Sequence, residues 1–368
     1  MSNAPIKVAI VGVGMSTTVF HAPFILSMPD KFALRVIVER SATADKSVAR
    51  DRYPGVKVVN SLDEALKEDI DVVWILSINE THYDFAKTVL TAGKHAIVEK
   101  PITSTSAEAL ELAAHAKEKN LVLAVYQNRR WDGDYLTVKK LMKEGAFGEL
   151  SEFNSHFDRY KNVPNAKVWK EAPVPGAGAA YDLGSHLIDQ ILDLFGPPKS
   201  VTGILRNSRL LNSSDVPDSF LVHLHYDPTD QPGRKLPLEA IARGSILSLL
   251  APQQRFIIKG TTASYLKHSV DVQEEQLVAG GADAINQPDF AVEPESAAGV
   301  LYRLDGGGKG ETVISEKGAY GKWFENVAEA LLAKDPSKLI VKPEQAALTI
   351  RIIELAEQSS KEGRTIAL

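Results

Sequence analysis

Lys7-Val8-Ala9-Ile10-Val11-Gly12-Val13-Gly14-Met15-Ser16-Thr17 is the stretch that decides how this chain is read. A short apolar run breaks into two glycines one residue apart, the order of a strand, a tight turn and a helix start. The first glycine permits the turn. The second lets backbone approach a pyrophosphate resting on the amides that open the helix. Thr17 stands where a third glycine would allow the closest helix–strand packing, so that packing is expected to be slightly looser. A plain glycine turn would give the same short pattern, and its surroundings decide between the two readings.

Working outward, strand-like runs recur at residues 33–38, 56–60, 72–77, 96–99 and 122–125, with helical stretches between them. Ser61 with Glu64 and Thr105 with Glu108 have capping-box spacing, and Gly93 and Asn120 stand where helices should stop. Alternating strand and helix implies a doubly wound parallel sheet with right-handed crossovers, a Rossmann domain expected over residues 1–126. Such sheets bind ligands outside the carboxyl ends of their strands.

Each of those strand ends carries polar residues. After the second come Glu39, which can accept from ribose hydroxyls, and Arg40 and Ser41, which can take a 2′-phosphate. After the fourth comes Ser77-Ile78-Asn79-Glu80-Thr81-His82, where Asn79 or Thr81 is expected to cap the next helix with its backbone donors toward the crevice. His82 reads better as a packing and hydrogen-bonding residue of that edge than as a catalyst. The fifth run, Ala96-Ile97-Val98-Glu99-Lys100-Pro101, sets an ionisable pair at a buried strand end. A lysine there is short of water, and burial disfavours its charged form, so it can bind or shuttle a proton near neutral pH. Two ordinary solvated charges are the alternative. The candidate cofactor-binding set is Gly12, Gly14, Met15, Ser16, Thr17, Glu39, Arg40, Ser41, Ser77, Asn79, His82, Glu99, Lys100 and Asn128.

The pattern changes after residue 125. Tyr126-Gln127-Asn128-Arg129-Arg130-Trp131-Asp132 is dense in polar and aromatic groups, and its Arg130 and Asp132 suit either a surface ion pair or a cleft. A helix is expected over residues 134–144, closed by Gly145. Longer strands follow at 150–160, 200–206, 220–226, 236–249 and 255–259, without helices between most of them. That is an α+β domain with a large, mainly antiparallel sheet, expected over residues 127–342. Segments 227–234 and 283–295 read as loops, the second long enough for a lid or an oligomer contact. Within the domain, Tyr181-Asp182-Leu183-Gly184-Ser185-His186 opens a helix running to Phe195. Asp182, His186 and Asp189 share one face of it. An aspartate four residues before a histidine can fix its tautomer and raise its basicity. A structural Asp–His pair is the bland alternative, and a metal site lacks a third ligand. The last helix opens at Pro343-Glu344, and residues 343–368 are expected to pack back on the Rossmann sheet.

Composition bounds the function. At 368 residues two domains are the natural expectation, and 44% hydrophobic with 24% charged residues is globular. A net charge of −5 argues against a nucleic-acid partner, because phosphate neutralisation needs a concentrated basic surface. No apolar run reaches the roughly 20 residues of a membrane helix. The N-terminus runs straight into a strand, which reads as no signal peptide, and zero cysteines removes disulfides, thiolate metal sites and a cysteine nucleophile. Cytoplasmic location is the default expectation.

Together the glycine turn, Glu99-Lys100-Pro101 and Asp182-x-x-x-His186 resemble the glucose–fructose oxidoreductase and inositol dehydrogenase (Gfo/Idh/MocA) family over essentially the whole chain. The 127–132 and 181–186 segments, with Arg351-Ile352-Ile353-Glu354, are most similar to its NADP-dependent scyllo-inositol dehydrogenases. Thr17 and Ile78, the latter where many members have proline, depart from the family pattern. The resemblance implies hydride transfer between NADP (preferred) or NAD and a secondary alcohol of a polyol or sugar. It implies that Lys100 hydrogen-bonds the reacting oxygen and the nicotinamide ribose, that His186 is the general base, and that Asp182 orients it or binds a neighbouring hydroxyl. Lys100, Arg129, Trp131, Tyr160, Tyr181, Asp182 and His186 are the expected substrate contacts, with Arg130, Asp189, Tyr126 and Trp169 as further candidates. A dinucleotide-binding sensor without turnover, or an enzyme reducing another carbonyl, are the other readings. The outer face of the broad sheet needs cover, which implies a homodimer or homotetramer.

Overall fold

The structure is a computed structural model, which describes residues 4–164, 172–209, 211, 216–228 and 234–368. It divides into two compact units. The first comprises Met1–Asn128, Gln273–Phe290 and Ala319–Ala347, and the second Arg129–Val272, Ala291–Gly318 and Leu348–Leu368.

In the first unit, β1 (Ile6–Val11), β2 (Phe32–Val38), β3 (Lys57–Val59), β4 (Val72–Ile75), β5 (His95–Val98) and β6 (Leu123–Val125) pair in parallel in the order β3-β2-β1-β4-β5-β6. β4 is apolar and buried at every position, as a strand covered on both faces must be. The Thr105–Glu108 capping box is present, worth about 1 kcal/mol to its helix. Ser61 caps its own turn, but the Glu64 carboxylate takes the amide of Asn60 instead. Gly93 and Asn120 both adopt positive φ where their helices end.

The first unit also claims segments that the sequence reading gave to the second. Helix Gly321–Ala333 belongs to the Rossmann unit because Trp323 donates its indole N–H to the Val125 carbonyl at 3.1 Å. Phe24 stacks on Phe324 at 4.9 Å and meets Phe290 at 6.4 Å. Within 283–290, Ala284 and Phe290 are buried while Asp283 and residues 286–289 stay exposed. Further along, the buried Glu293 pairs with Lys267 in the second unit.

The second unit is built on a sheet with the order β14-β13-β12-β11-β7-β10-β9-β8-β15. Its strands are β7 (Leu150–His156), β8 (Ser200–Arg206), β9 (Ser219–Tyr226), β10 (Leu238–Ser245), β11 (Gln254–Gly260), β12 (Ala263–His268), β13 (Gly299–Arg303), β14 (Gly310–Val313) and β15 (Ile366–Ala367). All pairs are antiparallel except β7 with β10. Strands β12 to β15 escaped the sequence reading. β12 holds a fully buried Lys267 that no apolar pattern announces, and β15 is only 2 residues long.

The closing helix, Pro343–Glu362, corrects a second expectation. From Leu348 onward it belongs to the nine-stranded sheet rather than to the Rossmann sheet. The Ser359 and Ser360 hydroxyls accept the Gly203 and Leu205 amides of β8, and a Cβ at Gly203 would collide with the Ala356 backbone. Glycine at 203 is what lets helix and strand approach. Of loop 227–234, residues 229–233 lie outside the described residues.

Candidate active site

In the first unit the candidate residues gather along one edge, the carboxyl ends of β1, β2, β4, β5 and β6. Gly12 has φ +108 and a Cβ there would lie 2.8 Å from the Leu76 carbonyl, so only glycine fits between the β1 and β4 ends. A Cβ on Gly14 would meet nothing within 4 Å. That open space before a helix start is what a pyrophosphate requires, so the residues present fit a dinucleotide.

Thr17, expected to touch cofactor, is instead fully buried and donates to the Gly12 carbonyl at 2.8 Å, closing the turn from behind. Thr17 lies in a π-helical turn over Ser16–His21. Met15 is 39% exposed at the mouth of the turn, beside Ser16.

Glu39 stands just past the end of β2, as expected, but its carboxylate is engaged by protein groups. Its carboxylate is buried and accepts from the Ser47 hydroxyl at 2.6 Å and from the Val48 and Ala49 amides at 3.0 Å each. Burial works to raise its pKa, and the Ser47, Ala49 and Val48 hydrogen bonds with the Arg50 charge outweigh it, so the group titrates below its ordinary value. Arg40 and Ser41 are exposed on the turn that Glu39 begins.

At the β4 end, the Ser77 and Thr81 hydroxyls lie 2.6 Å apart and Thr81 also donates to the Ile78 carbonyl. The expected side-chain cap is absent at both helix starts here, Ile78 before the turn holding Asn79 and Thr81 before helix His82–Thr91. His82 is fully buried, with Nδ1 2.8 Å from the Pro101 carbonyl and Nε2 3.2 Å from the Ser77 carbonyl. Burial lowers its pKa. It ties the Ser77 carbonyl after β4 to the Pro101 carbonyl after β5.

The Glu99 carboxylate spans two partners. One oxygen faces His21 Nε2 at 3.1 Å, and the other accepts the Lys100 backbone N–H at 2.9 Å. Burial pushes the Glu99 carboxyl up, but His21 and the charge of Lys100 hold its pKa below the ordinary value. His21 itself is fully buried between Tyr126 at 4.1 Å and Phe324 at 5.7 Å. Lys100 is half-buried, its backbone fixed by this pair. His21 and Ser47 are the residues that sequence reading missed. Ser47 carried a signal, a serine just before a helix, whereas His21 pairs across 78 positions of sequence and carried none. Asn128 is buried just beyond the β6 end.

In the second unit, Tyr181 and Asp182 lie in a π-helical turn, Ala180–Gly184, and His186 in the first turn of helix Ser185–Phe195. Phe220 packs 3.3 Å from where a Gly184 Cβ would sit, which ties this turn to β9. Tyr181 and His186 are buried and Asp182 is half-buried. Of the remaining substrate candidates, Trp131 is buried, Tyr160 is 52% exposed and bridges to Leu247, and Trp169 lies outside the described residues.

Arg130 and Asp189 are engaged with each other. Arg130 Nε and Nη2 donate to the two Asp189 oxygens at 2.8 and 2.7 Å, and Nη1 donates to Asp193 at 2.9 Å. This is a buried structural pair, not a set of substrate contacts. Arg129 reaches Asp132 at 3.4 Å and lies over the Phe157 ring at 4.7 Å. Burial raises the Asp132 pKa well above its ordinary value, opposed by the Arg129 charge and reinforced by Asp271 and Asp134. Beneath lies Arg255, fully buried, donating to Asp134 at 2.7 Å and to Ser155 and Gln190 at 2.8 Å each.

Chains of this build form a class, oxidoreductases that pair an NAD-binding Rossmann fold with an alpha/beta domain. Residues 6–127 match the model described as "Oxidoreductase family, NAD-binding Rossmann fold", and residues 139–368 match "Oxidoreductase family, C-terminal alpha/beta domain". The chain belongs to the Gfo/Idh/MocA oxidoreductase family. It is 42% identical to an uncharacterised oxidoreductase of Schizosaccharomyces pombe, over 99% of both chains. It is 36% identical to scyllo-inositol 2-dehydrogenase (NADP(+)) IolW of Bacillus subtilis, over 99% of this chain and 96% of that one. The solved structure of Bacillus subtilis yvaA superposes with a TM-score of 0.89 at 34% identity, covering 100% of this chain and 99% of that one.

Proposed function

We propose that this protein is an NADP-preferring dehydrogenase acting on a secondary alcohol or ketone of a polyol or sugar. The observation that carries the reading is the single strand edge holding the Gly12–Gly14 turn, the Arg40–Ser41 turn and a Lys100 whose backbone is pinned by Glu99. A bound nicotinamide supplies the hydride acceptor or donor. In this reading His186 takes the hydroxyl proton, because hydride leaves a carbinol only as that proton is removed. Asp182 orients the imidazole or holds a neighbouring hydroxyl, and Lys100 hydrogen-bonds the reacting oxygen. Arg129, Trp131 and Tyr181 are candidate substrate-side residues. Arg40 and Ser41 favour NADP, as does the likeness to a relative named for NADP(+).

Support for a self-associating protein comes from the outer sheet face. Strand register aligns Ile241, Ile257, Leu266 and Val300 in one half-buried apolar row, interrupted by Asn154. We assign that row to contact with a second copy, in a dimer or tetramer.

The test is a cofactor-reduction screen over inositols, aldoses and sugar alcohols, with NADP and NAD separately. The expected result is turnover of at least one polyol or sugar, faster with NADP. Tight dinucleotide binding with no turnover on the whole panel would favour a sensor instead.

A further inference from the structure

We propose that Ser47 sets the choice of dinucleotide by holding the Glu39 carboxylate away from the 2′ position of the adenosine ribose. The inference rests on the reading of the first unit as a nicotinamide-dinucleotide site. An acid closing the second strand ordinarily accepts from the 2′-hydroxyl and repels a 2′-phosphate, which carries nearly two negative charges. Here that acid is present, yet its oxygens are occupied. Ser47 donates to one Glu39 oxygen at 2.6 Å while accepting the Arg50 amide at 3.1 Å, so its hydroxyl is oriented from both sides. The Val48 and Ala49 amides complete the hold.

The backbone of the same residue is fixed in the other sense. Asn60 donates through its side chain to the Glu39 carbonyl at 3.1 Å and the Ala42 carbonyl at 2.9 Å. The Ala42 amide closes the turn onto the Glu39 carbonyl at 3.0 Å. Arg40 and Ser41 are thereby left at the exposed tip of a turn pinned at both ends. A guanidinium and a hydroxyl at that tip suit a phosphate, provided the neighbouring carboxylate stays turned away. Ser47 is a positioning residue in this account. It touches no ligand and acts through Glu39.

The test measures dissociation constants of NADP and NAD on the full-length protein by quenching of intrinsic fluorescence, without reference to turnover. Ser47→Ala is expected to weaken NADP about tenfold, the scale of a hydrogen bond to a charged group, while NAD is held or improved. Adding Glu39→Gln to Ser47→Ala should restore most of the NADP affinity, because the released group no longer carries charge. Ser47→Thr should behave like the wild type. Glu39→Asp gives an independent variant with Ser47 intact. Its carboxylate is one methylene too short to reach the hold, so it should also lose NADP selectivity. An unchanged NADP-to-NAD ratio in Ser47→Ala and Glu39→Asp would overturn the proposal. So would a double variant that stays as weak as Ser47→Ala, since Ser47 would then act only through loop structure. A wild type that binds NAD more tightly than NADP would overturn it while leaving the dehydrogenase reading intact. A wild type that binds neither would overturn that reading and this inference with it.

Discussion

In the proposed reading, Lys100 takes its role from its neighbours. The buried His21–Glu99 pair fixes the Lys100 backbone, and the residue itself is half-buried. Lys100→Met should lower turnover by roughly 10²-fold or more while dinucleotide affinity holds, because the pyrophosphate turn lies at β1. Near-normal turnover would remove Lys100 from the chemistry. Asp182 and His186 invite a different measurement. If they act as one unit, the losses of Asp182→Asn and His186→Asn should fall well short of adding in the double variant. A purely structural pair would show instead as lower thermal stability with activity per folded molecule retained.

At the scale of the element, helix Ser185–Phe195 and the turn before it carry two kinds of aspartate that look alike in sequence. Asp182 is half-buried in the π-helical turn before it, whereas Asp189 is locked to Arg130 by two short hydrogen bonds. Removing one partner of a buried pair leaves an uncompensated charge. Asp189→Ala should therefore cost about 3–5 kcal/mol in urea unfolding. Asp193 still holds Arg130 Nη1, which places the loss toward the lower end. Were Asp189 a substrate ligand, the same variant would raise KM and leave the unfolding midpoint in place. The helical spacing of 182, 186 and 189 was legible in the sequence, but the 59-residue separation of Arg130 from Asp189 was not.

At the scale of the whole molecule, the outer sheet face makes its own prediction. Ile257 sits mid-row between Asn154 of β7 and Leu266 of β12. Ile257→Asp puts a charge where the proposed second copy would bury it. Light scattering coupled to size exclusion should show a smaller species than the wild type, with the thermal midpoint of each subunit little changed because position 257 faces away from the core. An unchanged molar mass would move the interface elsewhere.

Local order was written in the sequence wherever a short-range rule governs it. The Rossmann strands, the Gly12 turn, the Thr105 capping box and the helix stops at Gly93 and Asn120 each depend on residues a few positions apart. The motifs at Glu99–Lys100 and Asp182–His186 were visible for the same reason. Tertiary structure alone decided which polar groups are free to meet a ligand. Thr17, Glu39, His82 and Asp189 are polar in sequence and lie at or beside the right elements, yet each is held by a hydrogen bond to another group of the protein. Burying an unpaired polar group costs a few kcal/mol, so the fold recruits whatever partner packing brings near. Two of those partners, Pro101 and Arg130, lie 19 and 59 positions from the groups they hold and follow from chain geometry that no local pattern encodes, whereas Gly12 and Ser47 are near neighbours in sequence. The closing helix obeys the same logic, since its apolar face could suit either sheet until the serines at 359 and 360 met the amides of β8.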